Sequence, residues 1–232
     1  GQVYRARLRD GRDVAVKVKY PGIDQAVRAD MQNLALVMKL VHTVWPSANP
    51  AMVDEIARNF ESELDYLREA KTQRQVAAQY RGHPFIAVPD SVVEHCTPHV
   101  LISEYVDGVG FEQMRTLPEA ERNRIGELIY RFYIGSLFQH NEFCGDPHPG
   151  NILMAPDGRV AFIDFGLYNR MDPANVAFEK NCLVAAGERR GRELYRLMVD
   201  RGIVDAGSEV TPEDCLDYVR AASEWHLVDE EI

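Results

Sequence analysis

Cysteine is scarce and unpaired in this sequence. Four residues in 232, Cys96, Cys144, Cys182 and Cys215, lie far apart with no C-x-x-C spacing. That excludes a disulfide framework and a zinc knuckle, and points to the cytoplasm or another reducing compartment. Positive charge is also in deficit: 26 Lys plus Arg stand against 36 Asp plus Glu, a net charge of −10. A broad footprint on a phosphate backbone is therefore excluded, and no nucleic-acid partner is expected. Long apolar runs are missing too. The longest, Leu34 to Trp45, is interrupted by Lys39 and His42 and is too short to span a bilayer. No G-x-S-x-G elbow surrounds Ser103 or Ser136, and His83, His95, His99 and His140 lack metal-ligand spacing, so neither a serine hydrolase nor a zinc enzyme is indicated. There is no signal peptide and no initiator Met. GQVYRARL already has the character of a strand, so the chain reads as beginning inside a domain.

What is present suffices for one large domain or two modest lobes. QVYRARLR and RDVAVKVKY read as a hairpin across a two-residue Asp10-Gly11 turn. Tyr4, Ala6 and Leu8 share the half-buried face of the first strand, opposite to Arg5, Arg7 and Arg9. In the return strand Val14, Val16 and Val18 point one way, and Ala15, Lys17 and Lys19 the other. Helices are expected from Asp24 to about Val44 and from Ala51 to about Gln79, the second carrying an apolar stripe of Val53, Ile56, Phe60, Leu64 and Leu67. Val92-Val93 and residues 100 to 106 read as further strands. Beyond Asp107-Gly108 the pattern turns helical, over Glu119 to Gln139 and after Pro173, Gly191 and Pro212. A strand-rich first part and a helix-rich second part predict a two-lobed α+β protein.

The chemistry concentrates in GDPHPGNILMAPDGRVAFIDFG, residues 145 to 166. If Pro156-Asp157-Gly158 turns the chain, Ile152 to Ala155 pairs with Val160 to Ile163, and Asn151 lies roughly across from Asp164. One amide oxygen and one carboxylate converging there suit Mg2+, which takes one or two protein oxygens and completes its shell with water and phosphates. Asp146, on a proline-braced loop, is placed to accept a proton or orient a nucleophile. His148, between Pro147 and Pro149, either braces that loop or touches phosphate. Each piece alone has a plain structural reading: a strand end, a turn, a loop amide. D-x-x-x-x-N followed at hairpin distance by D-F-G favours the functional one. Lys17 is weak evidence by itself. Asp65 and Glu69, at i and i+4, repel by a few tenths of a kcal/mol, roughly, unless a cation such as Lys17 intervenes. Cys144 is expected to be partly buried, and nothing nearby lowers its thiol pKa.

VAVKVKYPG, ELDYLREA (Glu63 to Ala70), SEYVDG (Ser103 to Gly108), GDPHPGNI and DFG, in that order, resemble the UbiB/AarF group of atypical protein-kinase-like proteins over nearly the whole chain. The resemblance implies a bilobal protein-kinase-like α+β fold, with a small antiparallel-sheet lobe over residues 1–103 and a mostly helical lobe over 104–232. It implies ATP and Mg2+ as cofactors. Lys17 would contact phosphates and pair with Glu69, Asp146 would be the catalytic acid, and Asn151 and Asp164 would hold metal. Glu104, Tyr105 and Val106 would form the adenine-reading hinge, with Ala15 lining the pocket. Glu63 and Asp65 would be regulatory acids that engage an N-terminal extension. An unknown small-molecule or lipid acceptor, a peripheral membrane surface and quinone-biosynthesis proteins are the implied partners, in support of ubiquinone or other isoprenoid-lipid metabolism. The group's Ala-rich nucleotide loop is not in this sequence, and Cys144 stands where relatives commonly carry His. An aminoglycoside- or choline-kinase-like phosphotransferase and a nucleotide-binding pseudokinase scaffold are the competing readings.

Overall fold

A computed structural model describes residues 1–30, 32–33 and 64–223. Its chain forms two compact units, one of Gly1–Phe132 with Cys144–Asn169, the other of Tyr133–Phe143 with Arg170–Ile232.

In the first unit, β1 (Gln2–Arg7) and β2 (Asp13–Val18) form an antiparallel hairpin in register Gln2 to Val18 and Arg7 to Asp13. The turn differs from the two-residue one expected. Leu8 and Arg12 close a three-residue loop: the Leu8 N–H donates to the Arg12 carbonyl at 2.9 Å and the Gly11 N–H to the Leu8 carbonyl at 3.0 Å. Gly11 takes φ +93°, which a side chain resists, so the loop is a type I turn with a left-handed closing residue. β1 is the edge of a three-stranded sheet ordered β1-β2-β4, where β4 is Val100–Glu104. All six β1 residues are exposed, so the expected half-buried face of Tyr4 and Ala6 is not formed. Val14 of β2, by contrast, is fully buried.

Residues 23–30 are helical. The expected helix from Ala51 falls partly outside the described residues, as do Val53, Ile56 and Phe60. Helix α1 (Tyr66–Gln79) starts at Tyr66, because Asp65 is its N-cap. The Asp65 carboxylate accepts from the Leu67 and Arg68 N–H groups, both at 3.1 Å, and its φ of −95° and ψ of 88° lie outside the helix. The buried face is Tyr66, Glu69, Ala70, Gln73, Val76 and Ala77, so Leu64 and Leu67 lie off it. Val92-Val93 is no strand: residues Val93–His95 make a 3-10 turn, held to β4 by a bridge between Ser91 and Ser103.

A second sheet orders β3 (Ile86–Ala87), β7 (Val160–Phe162), β6 (Ile152–Met154) and β5 (Val109–Gly110). α2 (Phe111–Met114) and α3 (Glu119–Tyr130) follow β5. The expected helix from Glu119 to Gln139 widens into a π-turn at Arg131–Gly135 before resuming at Ser136–His140. The wide turn begins beside Phe132, which is fully buried and stacks on Phe162 with centroids 3.7 Å apart and planes 6° apart.

The second unit packs the helices Pro173–Gly187, Gly191–Asp200 and Pro212–Ala222 around Cys182, Ala185, Ala186, Leu194, Met198, Val204 and Cys215. Two starts are specified locally. Asp172 precedes Pro173 and accepts from the Ala174 N–H, and Thr211 with Asp214 forms a capping box around Pro212. Among the described residues no helix is long and apolar enough to cross a membrane.

Candidate functional site

The hairpin expected after the Pro-braced loop is present, with Ile152 opposite Phe162 and Met154 opposite Val160. Gly158 turns it at φ +83°, and the Ala155 N–H donates to the Arg159 carbonyl at 2.9 Å. Continuing the register places Asn151 opposite Ile163, whose N–H donates to the Asn151 carbonyl at 3.1 Å. Asp164, the expected partner, therefore lies one residue beyond the observed one. It leaves the ladder there, and its Oδ1 accepts from the Gly166 N–H at 3.0 Å.

Three chain segments meet at Lys17. Its Nζ donates to Glu69 Oε1 at 3.0 Å, to Glu69 Oε2 at 3.2 Å and to Asp164 Oδ2 at 3.0 Å. Helix α1 supplies Glu69, which is 2 % exposed, β2 supplies Lys17, and the end of β7 leads to Asp164. The helix start capped by Asp65 aims Glu69 inward one turn later, so the i, i+4 repulsion expected between the two acids does not arise on a shared face. Burial pushes the Glu69 carboxyl up to about 7 against the pull of Lys17 and of the Phe165 N–H that it also accepts. At Lys17 desolvation acts downward, but the Glu69 and Asp164 charges and their hydrogen bonds outweigh it and hold the ammonium protonated. The Tyr66 ring, 5.0 Å from Nζ, adds a cation–π contact, a role that a search for charged motifs passes over although Tyr66 lies inside ELDYLREA.

Phe165 fixes the neighbouring backbone. It is 1 % exposed, packs edge-on to Phe132 at 6.4 Å and tilts against Tyr168 at 5.7 Å. With that ring locked inside, Asp164 faces Lys17. A second pair forms on the loop: Asn151 Nδ2 donates to Asp146 Oδ2 at 3.2 Å. The Asn151 amide is thereby turned with its NH2 toward Asp146, and its Oδ1 has no donor among the described residues. His148 braces the loop as expected, its Nδ1 accepting from the Gly150 N–H at 3.0 Å. Cys144 is buried, with Sγ 4.0 Å from the Asp164 carbonyl, and burial pushes its thiol up to about 11. It is a packing residue under the loop.

The proposed hinge lies at the end of β4. Val14 pairs with Glu104, the Tyr105 N–H donates to the Asp13 carbonyl at 3.1 Å, and the Glu104 N–H to the Asp90 carbonyl at 2.8 Å. Val106 makes no backbone hydrogen bond through its N–H among the described residues. A cavity of about 530 Å³ is lined by Glu104, Tyr105 and Val106 with Asp90, Pro156 and Asp157, but not by Ala15, Lys17 or Asp164, so it is distinct from the Lys17 cluster. Ala15 lies across from Arg5, and Val3 across from Lys17, so these four share one face of the hairpin. Val3 was not singled out by motif. The period-2 parity with Ala15 and Lys17, once the hairpin register is known, is the signal that finds it. Glu63 lies outside the described residues.

The donor chemistry fits a hard divalent cation: Asn151 Oδ1 presents an amide oxygen, and Asp164 Oδ2 already neutralises one positive charge, that of Lys17. Among the described residues no cluster of three His, Cys, Asp or Glu side chains offers an all-protein metal cage.

An α+β fold with a strand lysine on a buried helix glutamate, and an aspartate and asparagine flanking a D-F-G hairpin, defines a protein-kinase-like protein. The ABC1 atypical kinase-like domain matches residues 1–197, and the chain belongs to that family. It is 29% identical over 221 residues to Protein ACTIVITY OF BC1 COMPLEX KINASE 8, chloroplastic, of Arabidopsis thaliana, covering 91% of this chain and 29% of the relative. It is 28% identical over 219 residues to a probable protein kinase UbiB of Azotobacter vinelandii, covering 90% and 41%. A solved Mycobacterium tuberculosis structure, the complex of Rv3197 with erythromycin, superposes with a TM-score of 0.80 at 32% identity, over 98% of this chain and 57% of the other. The chain spans less than half the length of these curated relatives.

Proposed function

We propose that this chain is an ATP- and Mg2+-dependent kinase or ATPase of the UbiB type, acting in ubiquinone or other isoprenoid-lipid metabolism, with the lobe boundary at Glu104. The observation that carries the reading is the Lys17–Glu69–Asp164 cluster, in which one ammonium is held at 3.0 Å from both a buried and a part-exposed carboxylate. A structural lysine needs one partner. A lysine shared between a helix glutamate and the D-F-G aspartate is a cation set to meet phosphate oxygens.

In this reading Lys17 orients the nucleotide's phosphates, Glu69 keeps Lys17 extended, and Asn151 and Asp164 hold the metal. Bound there, Mg2+ would neutralise charge on the phosphates. Asp146, steadied by the Asn151 amide, accepts the proton of the attacking hydroxyl or water. Val106 offers its N–H to the base. Asp65 and Glu63 would act through regulation; for Asp65 this would be in addition to its cap. The acceptor is a small molecule or lipid. A membrane surface and quinone-biosynthesis proteins are the proposed partners, and a reducing compartment the proposed location.

Phosphate release from ATP by the wild-type chain, compared with Asp146→Asn, tests this. A loss of about 10²- to 10⁴-fold is expected, the range of a positioned general base. Equal rates in the two proteins would overturn the enzyme reading and favour a nucleotide-binding scaffold.

A further inference from the structure

Lys17 of β2 and Lys19 just beyond it share one strand parity, and the proposed function uses only the first. Both ammonium groups lie within cation–π range of the same ring: Lys17 Nζ is 5.0 Å and Lys19 Nζ 5.6 Å from the centroid of Tyr66. That ring is built in. Tyr66 is buried, clusters with Ala70 and Leu101, and is the first residue of α1, where the Asp65 cap sets it. Leu101 in turn pairs with Lys17 across β2 and β4. A Cβ on residue 1 would collide with the Tyr66 hydroxyl and lie 2.8 Å from the Val18 carbonyl oxygen, so the far end of the ring fills space that glycine leaves open.

The two lysines differ in what else holds them. Lys19 is buried and gives its Nζ to Asp24 Oδ1 at 3.0 Å, a partner outside the Lys17 cluster. Lys17 gives its hydrogen bonds to both Glu69 oxygens and to Asp164 Oδ2, and Asp164 is the group that the proposed function assigns to a metal. For Lys17 to meet a phosphate, the hydrogen bond now made to Asp164 has to change partner. Glu69 holds the ammonium through directed bonds, whereas a π face attracts the whole charge and is indifferent to where each N–H points. We propose that Tyr66 is a positioning residue for nucleotide binding, whose ring face anchors the Lys17 ammonium while the N–H bonded to Asp164 turns to a phosphate oxygen. This rests on the nucleotide-dependent reading above. The tyrosine hydroxyl takes no part in it.

Tyr66→Phe keeps the ring, and phenylalanine carrying one, two and then three ring fluorines at position 66 holds its shape nearly constant while weakening its negative face stepwise. ATP affinity with Mg2+ is measured by titration calorimetry across the series. Tyr66→Phe should stay within about 2-fold of the wild type, and affinity should then fall with each added fluorine, by about 5-fold or more in all, the size of a desolvated cation–π contact. Tyr66→Leu, bulky but without a π face, should fall at least as far. A flat fluorine series would show that the ring only packs, and would overturn the proposal. So would a Tyr66→Phe variant that binds no ATP, because the role would then belong to the hydroxyl. The same series on Lys19→Met should keep its trend; a trend that disappears there runs through Lys19 and overturns the assignment to Lys17. A wild type that binds no ATP is a separate result, which overturns the nucleotide-dependent reading itself and this proposal with it.

Discussion

Replacing Glu69 by Gln changes one oxygen for one NH2 at a side chain that is 2 % exposed, and its consequence should depend on pH. In the folded chain burial raises the Glu69 carboxyl from an ordinary 4.5 to about 7. A group whose folded pKa is raised favours the folded state most when protonated in both states. Its contribution is fully present below about pH 4.5 and is lost as pH rises through about 7. That rise corresponds to about 3 kcal/mol, at about 1.4 kcal/mol per tenfold change in proton affinity. The amide introduced by Glu69→Gln does not titrate, so the wild type should lose about 3 kcal/mol relative to that variant between about pH 4.5 and 8. Lys17 contributes no slope in that window, because its raised pKa confines its loss of stability to strongly alkaline pH. Urea unfolding followed by circular dichroism at about 222 nm, at half-unit steps of pH, measures the difference. Parallel curves for the two proteins would refute the claim that Glu69 is buried against its charge. A difference that instead moved in the wild type's favour as pH rose would show that the pair with Lys17 outweighs desolvation.

Phe132→Ala removes the ring stacked on Phe162 and edge-on to Phe165, and should cost about 3 to 5 kcal/mol in urea unfolding; a loss below about 1 kcal/mol would contradict the stacked core. Asp65→Ala removes the acceptor for two helix N–H groups and should cost about 1 kcal/mol by the same assay, whereas no change would leave Asp65 only a regulatory role. Cys144, buried and pushed up to about 11, should resist iodoacetamide at about pH 8 in the folded chain and react once urea is added; rapid labelling in the folded state would contradict its placement beneath the loop.

What could be read from the sequence was whatever rests on local pattern. The hairpin 152–162 follows from two apolar runs around Pro156-Asp157-Gly158, and the helices after Pro173 and Pro212 follow from Asp172 and Thr211 standing ahead of them. Lys17 and Glu69 were paired by motif and are paired in space. The departures arose where partners distant in sequence decide the outcome. Leu67 reads as core by helical period, yet the buried face carries Glu69 and Gln73, two polar residues whose burial Lys17 and the Pro89 carbonyl make tolerable. Asp65 reads as a helix residue beside Glu69, but its side chain accepts from the backbone N–H groups of Leu67 and Arg68 and caps the start of the helix instead. β1 alternates as a half-buried strand does, though as the sheet edge it exposes both faces. The Lys17–Asp164 bond, spanning 147 positions, leaves no local trace at all.

The proposed function requires Asp164 and Asn151 to hold a divalent cation together with nucleotide phosphates. Titration calorimetry of ATP into the wild-type chain with Mg2+ and with EDTA, repeated on Asp164→Asn, tests it most directly. Mg2+ should strengthen ATP binding by about 10-fold or more in the wild type, and Asp164→Asn should lose that Mg2+-dependent gain. Equal ATP affinity with and without Mg2+ in the wild type, or an undiminished Mg2+ effect in Asp164→Asn, would contradict it.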